Sequence, residues 1–141
     1  LSIPINNFDK YVNNTSIEEL KKNLIQDKEE AIKNFIFESV KYSSAKKTEF
    51  KALLKTFPLD SAPSIDVLIN HLTNISKTDL SENLKYIKKD ILLINGKLDQ
   101  FVKPNNYENY SNIYTELVEG MSHFPFISHK KELHKLITNF I

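Results

Sequence analysis

Asp90-Ile91-Leu92-Leu93-Ile94-Asn95-Gly96-Lys97-Leu98-Asp99-Gln100-Phe101-Val102 decides the fold. Ile91 to Ile94 is a continuous apolar run, the signature of a strand buried on both faces of a parallel sheet. Gly96 then turns the chain, and an acid, Asp99, follows. Downstream, Glu119-Gly120-Met121-Ser122-His123-Phe124-Pro125-Phe126 repeats the arrangement with a histidine in place of the acid. Each of the two residues follows a strand end and a glycine. Both are therefore expected at the carboxyl edge of one sheet, where α/β enzymes place their sites. The interval of 24 residues (123 − 99 = 24) leaves room for one crossover helix and one strand.

Taken singly, Asp99 reads as a turn residue and His123 as a capping or packed histidine. Taken together, they read as the acid and the base of a nucleophile–base–acid triad. In such a triad the histidine takes the proton of a serine hydroxyl and returns it to the leaving group. The aspartate fixes the ring tautomer and stabilises the imidazolium. The order acid then histidine is that of the last two members of an α/β-hydrolase triad. The nucleophile is absent: the chain has two glycines, Gly96 and Gly120, and no Gly-x-Ser-x-Gly elbow. The same shortage excludes a glycine-rich phosphate loop.

Upstream of this stretch the pattern is helical. Ser16 and Glu19 have capping-box spacing, and Ile17, Leu20 and Leu24 share one face. Asp27 and Glu30 repeat that spacing, so the helix is expected to break near Gln26 and restart, with Ile32, Phe35, Ile36 and Val40 as its stripe. After a turn at Tyr42-Ser43-Ser44, a helix is expected from about Ala45 to Phe57, with Phe50, Leu53, Leu54 and Phe57 facing inward, and Pro58 ends it. Pro63 stands where another helix begins, with a stripe of Ile65, Leu68, Ile69, Leu72 and Ile75. Residues 1 to 14 read as loop. The pattern changes at Asp79-Leu80. Beyond the first strand come a short helix near Asn105 to Tyr110, a weakly alternating strand over Ile113 to Val118, and a last helix over Ser128 to Phe140, with Leu133, Leu136, Ile137 and Phe140 inward. The fold class is α/β and helix-rich: a helical block over 1–78, then two β-α units of a parallel sheet over 79–141. Two strands do not make a stable sheet alone, so these require partners outside the chain.

Composition narrows the classes further. The 141 residues are 40% apolar and 26% charged, enough for one globular domain with a core. No apolar run is long enough to span a bilayer and no signal peptide opens the chain, so the expected location is cytoplasmic. There is no cysteine, which excludes disulfides, thiolate metal sites and a Cys nucleophile. Four scattered histidines give no metal-ligand spacing, and no cofactor is called for. His129 is a second candidate in the loop of His123. Its plain reading is structural, at the start of the last helix, as it is for His71 and His134 on helix surfaces. All 19 basic residues are lysines and the net charge is +1. Lys47, Lys51 and Lys55 recur every fourth residue, with Lys46 alongside. The plain reading is a solvated helix face. The sharper one is a docking site for an acidic partner. With no interleaved aromatics and no domain-wide basic charge, it is not a nucleic-acid patch.

From about Leu20 onward the chain resembles the C-terminal half of the pimeloyl-acyl-carrier-protein methyl ester esterases of biotin synthesis, α/β-hydrolases with a helical cap. The resemblance rests on His123-Phe124-Pro125-Phe126-Ile127-Ser128-His129, similar to the family's catalytic-histidine segment, and on Gly96-Lys97-Leu98-Asp99-Gln100-Phe101-Val102, similar to its Gly-x-Leu-Asp-x-x-Val. Lys51-Ala52-Leu53-Leu54-Lys55-Thr56 and Ile65-Asp66-Val67-Leu68 resemble cap segments. The resemblance implies a serine carboxylesterase that cleaves the methyl ester of pimeloyl-carrier protein. It implies Asp99 and His123 as triad members, and Phe35, Phe101 and Phe124 as the acyl-binding aromatics. It also implies Lys47 and Lys51 as contacts to the acidic acyl carrier protein, where the family has arginines. The family's other arginine pair falls near Glu30 and Asn34. The chain, which begins at Leu1, is then expected to be a fragment whose partner is the N-terminal half of the hydrolase, with the nucleophile and the oxyanion hole. Nucleic acid and membrane are not expected partners. The alternatives are another capped esterase for small acyl esters, or a non-catalytic helical interaction module.

Overall fold

The computed structural model describes residues 14–102, 107 and 109–141. Of the loop read over residues 1 to 14, residues 1 to 13 lie outside the described residues, as do the side chain of Ser16 and the short helix read near Asn105, while Asn14 is helical. Four helices come first: α1 (Asn14–Gln26), α2 (Lys28–Val40), α3 (Lys46–Thr56) and α4 (Ile65–Lys77). A 3-10 turn, Leu59–Ser61, precedes α4. The one-turn helix α5 (Ser81–Leu84) leads to strands β1 (Ile91–Gly96) and β2 (Ile113–Val118), and α6 (Lys130–Phe140) ends the order.

Local chemistry accounts for most of these boundaries. The break between α1 and α2 falls at Asp27, whose side chain accepts a 3.0 Å hydrogen bond from the Glu30 N–H and caps α2. Ser64 caps α4 by accepting from the Val67 N–H at 3.4 Å, so Pro63 stands before the cap and not inside the first turn. The ammonium of Lys28 donates to the carbonyls of Ala62 and Pro63, 3.1 Å each, and so ties α2 to the start of α4. Helix α3 stops before Pro58. Phe57 is its C-cap, with φ −120° and ψ 77°. There the chain leaves the helical direction, so Phe57 is exposed and does not join the inward face expected of it.

Among the described residues two apolar clusters form, and Ile17, Leu24, Ala31 and Leu84 are buried outside them. Ile36 and Val40 of α2 meet Leu53 of α3, with Ile32, Phe50, Leu54 and Phe124 packed around them. Val118, Met121 and Leu133 form the second, with Ile94 and Leu136 against them. Ile137 stays largely exposed, while the Phe140 ring meets Tyr114 edge to face at 5.6 Å. Helix α4 packs against α1 through half-buried residues.

The sheet is parallel and in register from Ile91 opposite Ile113 to Gly96 opposite Val118. Asn112 fixes its lower end: the side-chain amide donates to the carbonyls of Ile87 and Lys89, 2.9 Å each, and the backbone carbonyl of Asn112 receives the Ile91 N–H. Lys97 and Glu119 pair at the upper end. Ile91 to Ile94 was expected to be buried on both faces, yet each residue is half-buried. The reason is geometric. Among the described residues the sheet has two strands, and the buried cluster that Ile94 joins draws only on β2, Met121 and α6. Among the described residues, no helix is long and apolar enough to cross a membrane.

Candidate active site

The carboxyl ends of β1 and β2 carry the two residues singled out from the sequence. Asp99 lies three residues past the end of β1, and its own N–H returns to the Gly96 carbonyl at 3.1 Å. Its Oδ1 accepts from the N–H groups of Phe101 and Val102 at 2.8 and 3.0 Å. That Asx-type turn orients the carboxyl, leaving Oδ2 free to meet Nδ1 of His123 at 2.9 Å. Both groups thus stand at the carboxyl ends of neighbouring strands, as their places in the sequence lead one to expect, and within hydrogen-bond reach of each other. The Asp99 side chain is 7% exposed and that of His123 34%. The acid is shielded, while the imidazole keeps a face toward solvent. An ionised carboxylate only accepts, so Nδ1 carries the proton and Nε2 is the basic nitrogen.

Gly96 makes this pairing sterically possible. A Cβ there would lie 2.2 Å from the Met121 carbonyl oxygen and 2.9 Å from that of Ser122. The segment leading into His123 therefore runs directly over the end of β1, held by the Leu98 N–H donating to the Met121 carbonyl at 2.9 Å. Gly120, at φ 68°, supplies the left-handed turn that sends the chain back after β2.

Aromatic rings connect His123 to the helical block. The His123 ring meets Phe101 nearly perpendicular at 5.1 Å, and Phe101 meets Phe35 of α2 at 5.0 Å. Phe35 and Phe101 border an open cleft of about 330 Å³ between α1, α2 and the Asp99 loop, whose rim holds Asn23, Asn34, Glu38 and Gln100. Glu38 is bound by the Lys41 ammonium at 3.1 Å, and this hydrogen bond raises the Lys41 pKa against the opposing effect of desolvation. Phe124 does not border that cleft. Its ring packs on the Ile36–Val40–Leu53 cluster and meets Phe126 at 5.1 Å.

The remaining candidates fall where their spacing puts them. Lys47, Lys51 and Lys55 are all exposed along α3, as is Lys46. Glu30 and Asn34 are exposed on α2, and Glu30 is 3.4 Å from Lys33. His71 and His134 are exposed. His129 stands at the N-cap of α6 with Nδ1 2.9 Å from Ser128 Oγ. Sequence reasoning passed over Glu49. It is completely buried, and its Oε1 accepts from the Ser128 N–H at 3.0 Å. The available signal was its position one turn before Leu53 on the inward face of α3.

A helix-rich chain whose parallel strands bring a hydrogen-bonded Asp–His pair to their carboxyl edge, beside an aromatic cleft, falls in the α/β class of fold with an acid–base pair at the sheet edge. No family model matches the chain. Among curated proteins it is similar to the pimeloyl-[acyl-carrier protein] methyl ester esterase of Wigglesworthia glossinidia brevipalpis, with 32% identity over 116 residues. That match covers 74% of this chain and 44% of the relative, so the chain spans less than half the length of the curated relative it matches. The resemblance read from the Asp99 and His123 segments is borne out at this level.

Proposed function

We propose that this chain is the cap and C-terminal portion of a serine carboxylesterase, an α/β-hydrolase that cleaves the methyl ester of pimeloyl-acyl-carrier protein in biotin synthesis. The observation that carries the reading is the 2.9 Å contact between Asp99 Oδ2 and His123 Nδ1, with the acid already oriented by two backbone N–H groups. Similarity to an esterase of that name supports the choice of substrate class.

In this reading the serine comes from residues outside these 141. His123 Nε2 takes the hydroxyl proton as the serine oxygen attacks the ester carbonyl. Asp99 holds the ring in the Nδ1–H tautomer and stabilises the imidazolium. The imidazolium then returns its proton to the departing methoxy oxygen, and methanol leaves. Water attacks the acyl-serine next, with the same nitrogen as its base; the imidazolium passes that proton to the serine oxygen as the acyl bond breaks, and the free acid is released as its carboxylate. Phe35 and Phe101 give the acyl chain an apolar wall that ends at the His123 ring. Phe124 serves the same reading from beneath, by holding the loop of His123 on the helical core.

The test is Asp99→Asn in the complete protein, carrying the serine-bearing segment. Asparagine keeps the size of the side chain but disfavours the required tautomer. Turnover is expected to fall by roughly 10⁴, with KM little changed. Wild-type turnover would remove Asp99 from the reaction. A second reading, an esterase for small free acyl esters, takes its support from Glu30: an exposed acid stands where a carrier-binding cation is expected.

A further inference from the structure

We propose that Glu49 is a positioning residue for His123, acting through the backbone of the loop that carries the imidazole. Glu49 and Val40 are the largest completely buried side chains among the described residues. Its Oε1 accepts the Ser128 N–H at 3.0 Å, across 79 residues of sequence, while Oε2 is buried with no donor among the described residues.

A half-satisfied buried carboxyl is costly, and an apolar side chain of similar size in its place is often neutral or stabilising. The site is suited to such a replacement. Leu53, one turn along the same face of α3, is buried in the apolar cluster with Ile36 and Val40. What Glu49 provides and leucine does not is an acceptor for one particular amide.

That amide belongs to the segment that must hold His123 still. Between His123 and α6 the chain is fastened to the helical block at two points. The Phe124 ring packs on the Ile36–Val40–Leu53 cluster, and Ser128 is held by Glu49. Between those points Pro125 is buried, and its carbonyl receives the His129 N–H at 2.9 Å. The imidazole itself touches Asp99 on one side and the Phe101 ring on the other. Its placement against Asp99 therefore depends on where the loop holds its backbone. The hydrogen bond of Glu49 goes to the loop backbone and that of His123 Nδ1 to Asp99, so the effect of Glu49 is one of position. The consequence for catalysis rests on the esterase reading; the tie between Glu49 and the His123 loop does not.

The experiment uses the complete protein, carrying the serine-bearing segment and isotope-labelled, with three readouts: the thermal midpoint, the exchange rate of the Ser128 amide, and the Nδ1–H proton resonance of His123 in its bond to Asp99. In Glu49→Leu the midpoint is expected to stay or rise. Ser128 exchange should quicken about tenfold or more as its acceptor is lost, and the His123 ring proton should broaden or vanish. Glu49→Gln keeps an oxygen acceptor and should hold both signals near their wild-type values. Leu24→Ala, which removes a buried side chain of α1 outside the cluster that Phe124 packs on, should lower the midpoint and leave the ring proton in place. A ring proton unchanged in Glu49→Leu while Ser128 exchanges faster would overturn the proposal. So would an equal loss of that signal in Leu24→Ala. If Glu49→Leu does not fold, Glu49→Asp, one methylene shorter, decides by the same two signals. No substrate enters the measurement, so an inactive complete protein with this result intact would remove the esterase reading alone.

Discussion

Gly96 is the residue on which the site geometry turns. It is the last residue of β1, and the backbone of Met121 and Ser122 occupies the space of its missing side chain, with the nearest atom 2.2 Å from an ideal Cβ. No rotamer relieves that clash, because the Cβ position is fixed by the backbone and the obstacle is itself backbone. In Gly96→Ala the segment entering His123 must lift away from β1. Overpacking of this kind costs about 1–3 kcal/mol, read as a lower urea midpoint. The Leu98–Met121 hydrogen bond and the His123–Asp99 contact should lengthen with it, and loss of the His123 Nδ1–H resonance would report the second. A folded Gly96→Ala variant that keeps that resonance at wild-type intensity counts against the close-approach argument. From sequence, Gly96 reads as a turn glycine. Its φ is not positive; of the two glycines, Gly120 alone has a positive φ. Turn chemistry is local and therefore legible, whereas the approach of residue 121 to residue 96 is tertiary and leaves no mark in either segment. The Asp99–His123 pairing was legible, because each member sits beside its own strand end and glycine. Glu49 was not, because burial of a carboxyl depends on an amide 79 residues away.

Helix α3 has two faces with different tasks. Glu49 and Leu53 point inward and are buried, while Lys47, Lys51 and Lys55 point outward along the opposite side. The four-residue recurrence that revealed the stripe also guarantees its separation from the core, since residues i and i+4 share one face. An acidic carrier protein docked there would gain in encounter rate and orientation more than in affinity. Each exposed contact contributes of order 0.2–1 kcal/mol and is screened by salt. In the complete protein, Lys47→Glu combined with Lys51→Glu should lower kcat/KM for the carrier-bound ester several-fold at low salt and leave a small chromogenic ester almost untouched. Equal loss on both substrates would assign the stripe to the stability of α3, and no loss on either would return it to a solvated face. The elements themselves were largely legible. Proline, Asp27 and Ser64 punctuate the helical block by local chemistry. The exceptions are Asn14, read as loop and found in α1, the one-turn α5, which was not read at all, and the start of α6, at Lys130 and not Ser128. The Ser128 N–H is held by Glu49, and residues 125 to 129 form a separate turn first.

Among the described residues, apolar burial is scattered over two small clusters and the separate residues Ile17, Leu24, Ala31 and Leu84, and the most apolar run in the sequence is only half covered. Ile91 to Ile94 has the composition of a central strand, yet among the described residues β1 pairs with β2 alone, so each strand has an edge without a ladder partner. Two-stranded sheets are marginal in water, and flat apolar edges recruit other chains. The helical block has its own cluster and its own caps, so it should outlast the sheet as conditions worsen. This leads to a paired expectation for the isolated 141 residues. Urea unfolding should be broad, with amides of β1 and β2 exchanging faster than those of α2 and α3, where a fully paired central strand would rank among the slowest. Ester hydrolysis should not rise above background with a chromogenic ester, because an Asp–His pair without a serine has a base and no nucleophile to activate. Clear burst kinetics from this chain alone would refute the second expectation. Addition of a nucleophile-bearing hydrolase segment should change both measurements at once if it pairs with the sheet: protection of Ile91 to Ile94 should rise as hydrolysis appears. Hydrolysis gained without protection of β1 would mean that the segment docks elsewhere, and that the half-exposed strand is not where the two parts join.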